Sequence, residues 1–193
     1  MNEREFTNKV TNSQEDFLQE FLDLLGEWDV PFCVIGGLAV NAYAEPVVSL
    51  DLDLVVTSDR VDALAEALEQ RFTVHRFPHS INVSSSSSDL RIQIQTDPKY
   101  QGFIARAARQ IILGYEVSVA ALEDVLQGKV WAFSDSDRRP SKRQKDLADI
   151  MRLVETHPHL IALLPEPLRE QISSQVAGLR SQGRRGGGVG AGC

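Results

Sequence analysis

The chain of 193 residues has little with which to cross-link or chelate. Its two cysteines are Cys33, inside the apolar run 31–35, and Cys193, in a glycine-rich tail. That pair can build neither a disulfide framework nor a CxxC metal site, and a reducing compartment fits. Nothing approaches the roughly 18 consecutive apolar residues of a membrane span, and the opening stretch MNEREFTNKVTNSQEDF has no apolar segment of a secretory leader. A cytoplasmic protein without membrane attachment is expected. No GxxxxGK[ST], GxGxxG or GxSxG string occurs, which disfavours P-loop, Rossmann and α/β-hydrolase enzymes. The four histidines, His75, His79, His157 and His159, are split by Pro78 and Pro158, so the helical spacing of a zinc site is missing.

What is present is an ordinary globular composition: 42% hydrophobic residues, 24% charged residues and a mean hydropathy of -0.18. At about 150 residues per domain, the length predicts one domain with room for an appendage. The net charge of -7 argues against a dedicated nucleic-acid coat. It leaves open a local basic cluster, supplied by Arg138, Arg139, Lys142, Arg143 and Lys145. By default that cluster is a solvated loop; as a site it would touch the backbone of RNA or a nucleotide.

The hydrophobic pattern alternates between helical and strand periods. Residues 14–27 read as a helix on Phe17, Phe21, Leu22, Leu24 and Leu25, and 31–35 as a buried strand ending at Gly36-Gly37. Residues 38–45 read as a helix stopped by Pro46, 47–57 as an alternating strand, 60–70 as a helix and 72–77 as a short strand. Ser84 to Ser88 mark a hairpin loop before the alternating strand 90–95. Residues 99–112 read as a helix, 115–117 as a strand, 119–133 as a helix with Ser118 as N-cap, and 141–154 as a helix burying Leu147, Ile150, Met151 and Val154. The expected fold is α/β (α+β): a small mixed β-sheet flanked by helices over residues 1–118, with a short C-terminal helical portion over 119–180. The tail 181–193 is expected to be disordered, because its glycines carry high chain entropy and it offers no core residues.

Chemistry concentrates in Gly36-Gly37, eleven intervening residues, then Ser49-Leu50-Asp51-Leu52-Asp53. Alternate strand residues share a face about 7 Å apart, so Asp51 and Asp53 can reach into one site. Their hard oxygens suit magnesium or manganese. A strand ending in Gly-Gly and opening a helix lets phosphate oxygens approach bare backbone N–H groups. Metal and phosphate together imply a nucleoside triphosphate.

A Gly-Gly pair followed by [ST]xDxD on a strand resembles the signature of the nucleotidyltransferase superfamily, which has the DNA polymerase β-like fold. Three segments are similar to its branch of AbiEii-type toxins: VPFCVIGGLAVNAYAEPVVSLDLDLVV, VAALEDVLQGKVWAF and RQKDLADIMRLV. They span residues from about 30 to 155. The resemblance implies transfer of a nucleoside monophosphate from a triphosphate onto a hydroxyl of RNA such as tRNA, of a protein or of a small molecule, with Mg2+ or Mn2+ as cofactor. It also implies an antitoxin as partner. It places Gly36, Gly37 and Ser49 at the nucleotide, Asp51 and Asp53 on the metals, Lys129 and Lys145 as phosphate contacts, and Asp146 in a helical motif of that branch.

The residues also admit plainer readings. Lys142 with Asp146, and Lys145 with Asp149, are spaced i,i+4, as on an ordinary charged helix face. Lys129 follows Gly128 on an amphipathic helix and reads as solvated, and Trp131 reads as packing. The superfamily's third carboxylate is missing: the strand that should carry it has Gln93 at that place, and a neutral amide is no general base. Asp89 and Asp97 share Gln93's parity and are the available substitutes, at the strand ends. The alternative to a transferase is therefore a non-catalytic nucleotidyltransferase-like module that binds a nucleotide, RNA or a partner protein.

Overall fold

The structure, a computed structural model, describes residues 1–183, with side chains described through residue 174. Seven strands form one mixed sheet in the order β3-β4-β5-β2-β1-β7-β6. They are β1 (Phe32–Ile35), β2 (Asp51–Val56), β3 (Thr73–Phe77), β4 (Ser80–Ser85), β5 (Ser88–Gln95), β6 (Ala108–Ile112) and β7 (Tyr115–Val119). Strand β2 runs antiparallel to β1 and parallel to β5, and β1 is parallel to β7.

Strand alternation decides what each face of the sheet meets. On β5, Leu90, Ile92 and Ile94 are buried; Leu52 and Leu54 on β2 and Ile81 and Val83 on β4 continue that apolar surface. It belongs to one core with the buried stripes of α2 (Phe17–Glu27) and α4 (Val61–Glu69), which supply Phe17, Phe21, Leu24, Leu64 and Leu68. The opposite parity, Asp51 and Asp53 beside Arg91 and Gln93, faces away from this apolar layer. Helix α3 (Gly36–Asn41) follows β1 directly; α6 (Leu122–Ser134) and α7 (Pro140–Thr156) follow β7 and pack against each other and against α3. Helix α8 (Glu166–Gly183) comes after a 3-10 turn at Pro158–Leu163.

The mixed sheet flanked by helices agrees with the sequence reading, and so does the turn between Ser85 and Ser88. Residues 99–112 do not form one helix. A 3-10 turn (Pro98–Tyr100) and the four-residue α5 (Gln101–Ile104) precede edge strand β6, which pairs with β7 through a hairpin at Leu113 and Gly114, φ +57° and +80°. The alanines of this stretch have helical propensity, but tertiary strand pairing overrides a preference of tenths of a kcal/mol per residue. Helix α6 starts at Leu122 with Ala121 rather than Ser118 at its N-cap. Of the tail expected to be disordered, 181–183 continue α8 and the rest lies outside the described residues.

Helix α1 (Glu3–Val10) was not expected, although Asn2 and Glu5 spell a capping box: Asn2 Oδ1 accepts from Glu5 N at 2.9 Å, and Glu5 Oε2 from Asn2 N at 3.0 Å. The first sixteen residues tie two hairpins. Thr7 Oγ1 donates to Leu113 O in the β6–β7 turn, while Thr11 O accepts from Asp89 N and Ser87 O from Gln14 N at the β4–β5 turn.

Phe21, fully buried in the core, makes the fold testable. Phe21→Ala is expected to lower unfolding free energy by about 3–5 kcal/mol, read from urea denaturation midpoints at constant slope.

Candidate functional site

Strand β1 ends at Ile35, which lies opposite Asp53 in the antiparallel register. The next residue, Gly36, turns the chain with φ +71°. A Cβ there would overlap the Asp53 side chain, 2.9 Å from its Cγ. Glycine is required twice, for the left-handed backbone and for the close approach of the carboxylate. Gly37 is different: a Cβ there would sit 3.8 Å from Asp149 Oδ2 and 4.0 Å from Lys145 Nζ, in ordinary contact.

Asp51 and Asp53 share a face of β2, as expected. Asp51 is held from two sides, by Arg91 Nη2 at 2.8 Å and Lys142 Nζ at 3.7 Å. Ser49 lines the same cavity, and its hydroxyl bonds the backbone N–H and carbonyl of Asp51, each at 3.3 Å, so it shapes the entry of β2. Asp53 has no ion pair among the described residues. Burial raises its pKa, against the attraction of Lys129, with the charge of Asp51 adding to the rise. Gln93 stands beside Asp53 in the β2–β5 register, at the place expected of a third acid. Neither proposed substitute joins it. Asp89 accepts from Asn12 Nδ2 at 2.5 Å, and Asp97 is occupied by the Lys99 N–H and ammonium, both at 3.1 Å.

The plain readings of Lys129 and Asp146 are corrected. Both are buried, and Lys129 Nζ lies 3.2 Å from Asp146 Oδ1 and 2.6 Å from Asp149 Oδ2. Arg138 pairs with Asp146, and Arg152 Nη1 with Asp149 Oδ1 at 2.8 Å. The i,i+4 pairs imagined along α7 do not form, because Asp146 and Asp149 turn inward beside Leu147, Ile150 and Leu153. The helical phase of these apolar residues already marked both aspartates for burial. Two buried carboxylates with three cations leave a positive excess, which a single ionised Asp53 would offset.

The basic cluster divides. Arg138, Lys142 and Lys145 line the groove over Asp51 and Asp53, whereas Arg143 Nε donates to Phe133 O at 3.0 Å. Trp131 is packing, stacked on Phe103 with centroids 5.7 Å apart. Cys33, beneath Asp124, has its thiol pushed up to about 12, first by burial and then by that charge, and is no nucleophile.

Two cavities meet at Asp53 and Gln93. One, of about 420 Å³, runs from Gly37, Lys142 and Lys145 across Asp51 to Asn82 and His75 on the outer strands. The other, of about 100 Å³, is bounded by Ile35, Tyr100, Phe103, Val125 and Gly128. The sequence reading missed Arg91, Asp149, Arg152 and this second chamber, since their roles depend on strand register and helix packing.

The donor set fits a hard divalent cation in part. Two carboxylates share a face, and Asp53, partly buried where the two cavities meet, forms no ion pair among the described residues. The described residues hold no cluster of three His, Cys, Asp or Glu side chains, so such an ion would depend on Asp51, Asp53, the Gln93 amide oxygen, water and substrate oxygens.

A family model described as nucleotidyl transferase AbiEii toxin, type IV toxin-antitoxin system, matches residues 17–176. The chain belongs to this family. No curated protein sequence matches it significantly. Among solved structures it resembles the crystal structure of ANT(2'')-Ia in complex with adenylyl-2''-tobramycin, at 18% identity and TM-score 0.54, over 83% of this chain and 97% of that one. The solution structure of the antibiotic-resistance factor ANT(2'')-Ia gives 17% identity and TM-score 0.51, over 87% and 95%. At these identities the likeness shows the fold, a nucleotidyltransferase fold. Among the described residues, no helix of this AbiEii-family chain is long and apolar enough to cross a membrane.

Two predictions follow the geometry. Gly36→Ala is expected to cost at least about 1–2 kcal/mol in chemical denaturation, from the left-handed backbone alone, while Gly37→Ala stays within about 1 kcal/mol of the parent. Asp53→Asn removes a carboxylate whose ionised form burial disfavours, and is expected to raise the thermal unfolding midpoint at pH 7. An unchanged or lower midpoint would show that the surrounding lysines more than compensate its burial.

Proposed function

We propose that the chain is a metal-dependent nucleotidyltransferase, moving a nucleoside monophosphate from a triphosphate to a hydroxyl of RNA such as tRNA, of a protein or of a small molecule. Its biological setting is a toxin-antitoxin pair. The observation that carries this reading is Asp53, without an ion pair among the described residues, packed against Gly36 and flanked by Asp51 in a groove lined by Arg91, Arg138, Lys142 and Lys145. Family membership supports it, and so does a solved neighbour of the same fold seen with an adenylylated aminoglycoside.

Asp51 and Asp53 would hold magnesium or manganese, which supplies charge neutralisation on the reacting phosphate. The acceptor oxygen forms a bond to the α-phosphorus, the bond to the bridging oxygen of the β-phosphate breaks, and pyrophosphate leaves. Lys142 and Lys145 neutralise the departing charge beside Gly37. Lys129, fixed between Asp146 and Asp149, lines the groove beside Asp53. Such positioning and charge stabilisation carry most of phosphoryl-transfer catalysis. Gln93 can accept a hydrogen bond from the acceptor hydroxyl and so orient it, while the proton passes to solvent.

Gln93 also favours a second reading, a binding module without catalysis, because it leaves no third carboxylate beside Asp53. One experiment separates the two: incorporation of α-labelled ATP, CTP, GTP and UTP, with magnesium or manganese, into lysate RNA and protein. Transfer is expected from the parent and a loss of at least about 100-fold from Asp51→Ala. Absence of transfer from folded protein under every condition would leave the binding module standing.

A further inference from the structure

The two cavities that share Asp53 differ in what they can hold, and the difference assigns the parts of the nucleotide. The larger groove is lined on the helix side by Lys142 and Lys145 and on the sheet side by Arg91, and it passes over both aspartates to the polar side chains of Asn82 and His75. In-line displacement needs the leaving and attacking oxygens on opposite sides of phosphorus. A trough crossing the aspartates from a cationic end to a polar end provides that line: pyrophosphate toward Lys142 and Lys145, acceptor hydroxyl from the side of Gln93 and Asn82.

The nucleoside must then leave that line sideways, and the smaller chamber branches off there. It shares Asp53, Gln93, Lys129, Arg138 and Asp146 with the groove, and its remaining walls are of another kind. Tyr100 and Phe103, edge-to-face with centroids 5.4 Å apart, meet Ile35 and Val125 there. Gln95 adds a polar group to the lining, and so does the buried Asp124, whose carboxylate is bonded by Arg106. A chamber of about 100 Å³ is too small for a polymer, and the cations it shares with the groove, Lys129 and Arg138, are already paired with Asp146 rather than free for a triphosphate. A flat heterocycle with hydrogen-bonding edges matches it.

We infer that the chamber between Gly128 on α6 and the Tyr100–Phe103 pair is the nucleobase pocket, and that the acceptor uses the open trough instead. The inference rests on the nucleotidyl-transfer reading above. Gly128 gives a selective handle on it: a Cβ there would lie 3.6 Å from Tyr100 Cε1 and 3.7 Å from Phe103 Cε2, in ordinary contact, with anything longer entering the chamber.

The test is equilibrium binding of the four nucleoside triphosphates and of inorganic tripolyphosphate, each with magnesium, to the full chain and to Gly128→Ala, Gly128→Leu and Ala132→Leu. Thermal unfolding of each variant checks that it is folded. The expected result is at least tenfold weaker binding of the preferred nucleotide by Gly128→Leu, with tripolyphosphate within twofold of the parent and Gly128→Ala close to the parent. Ala132→Leu, on the same wall one helical turn later, is expected to repeat the pattern if Gly128→Leu proves unfolded. Equal loss of nucleotide and tripolyphosphate in folded variants overturns the assignment. So does unchanged nucleotide binding with lost transfer, which would give the chamber to the acceptor. If the parent binds neither ligand, the nucleotidyl-transfer reading itself fails, an outcome distinct from the other two.

Discussion

Everything at the site depends on how closely the exit of β1 approaches the Asp53 carboxylate. The antiparallel register puts Ile35 opposite Asp53, so the turn out of β1 passes directly over that side chain, and only a residue without a Cβ can make it. The contact sets the carboxylate against backbone and withdraws part of its hydration, and this burial raises its pKa. A carboxylate partly withdrawn from water in this way favours a nearby cation. Lys129 of α6, Lys145 of α7 and Arg138 between these helices lie near it without forming an ion pair with it.

A second layer of charge sets those helices in place. Lys129, Asp146 and Asp149 form a buried cluster closed at its ends by Arg138 and Arg152. Buried ion pairs contribute little net stability against an apolar equivalent, yet they are costly to break singly. Arg152 extends the cluster outward: it donates to Asn41 Oδ1 at 2.8 Å and to the Glu45 carbonyl, and Asn41 clasps Val47 through its amide. The loop that delivers Ser49 and Asp51 is thus anchored to the helix that delivers Lys142 and Lys145.

Much of this was legible in the sequence, in proportion to how local each signal was. Gly36-Gly37, the alternation through Asp51 and Asp53, and Gln93 at the acid position rest on strand parity and adjacent residues, and their placement holds. Of the two readings of Lys129 and Asp146, the solvent-facing one fails: i,i+4 spacing alone suggests an exposed charged face, while the phase of Leu147, Ile150 and Leu153 turns Asp146 inward. The stretch 99–112 was misread because its alanines say helix, while the partner that makes 108–112 a strand, β7, lies beyond a turn built on Leu113 and Gly114. The second chamber was invisible: its walls come from β1, β5, α5 and α6, which meet only in three dimensions.

The N-terminal segment carries an unequal share of the architecture. Its backbone and threonine hydroxyls fasten the β6–β7 turn at Leu113 and the β4–β5 turn at Ser87 and Asp89, near opposite ends of the sheet. Arg4 covers the Tyr115 ring at 4.2 Å, and Tyr115 donates to Asp16 at 2.5 Å. The family match begins at Phe17, so this strap lies outside the matched residues. It makes the first residue a poor handle: a bulky fusion there pulls on both hairpins at once.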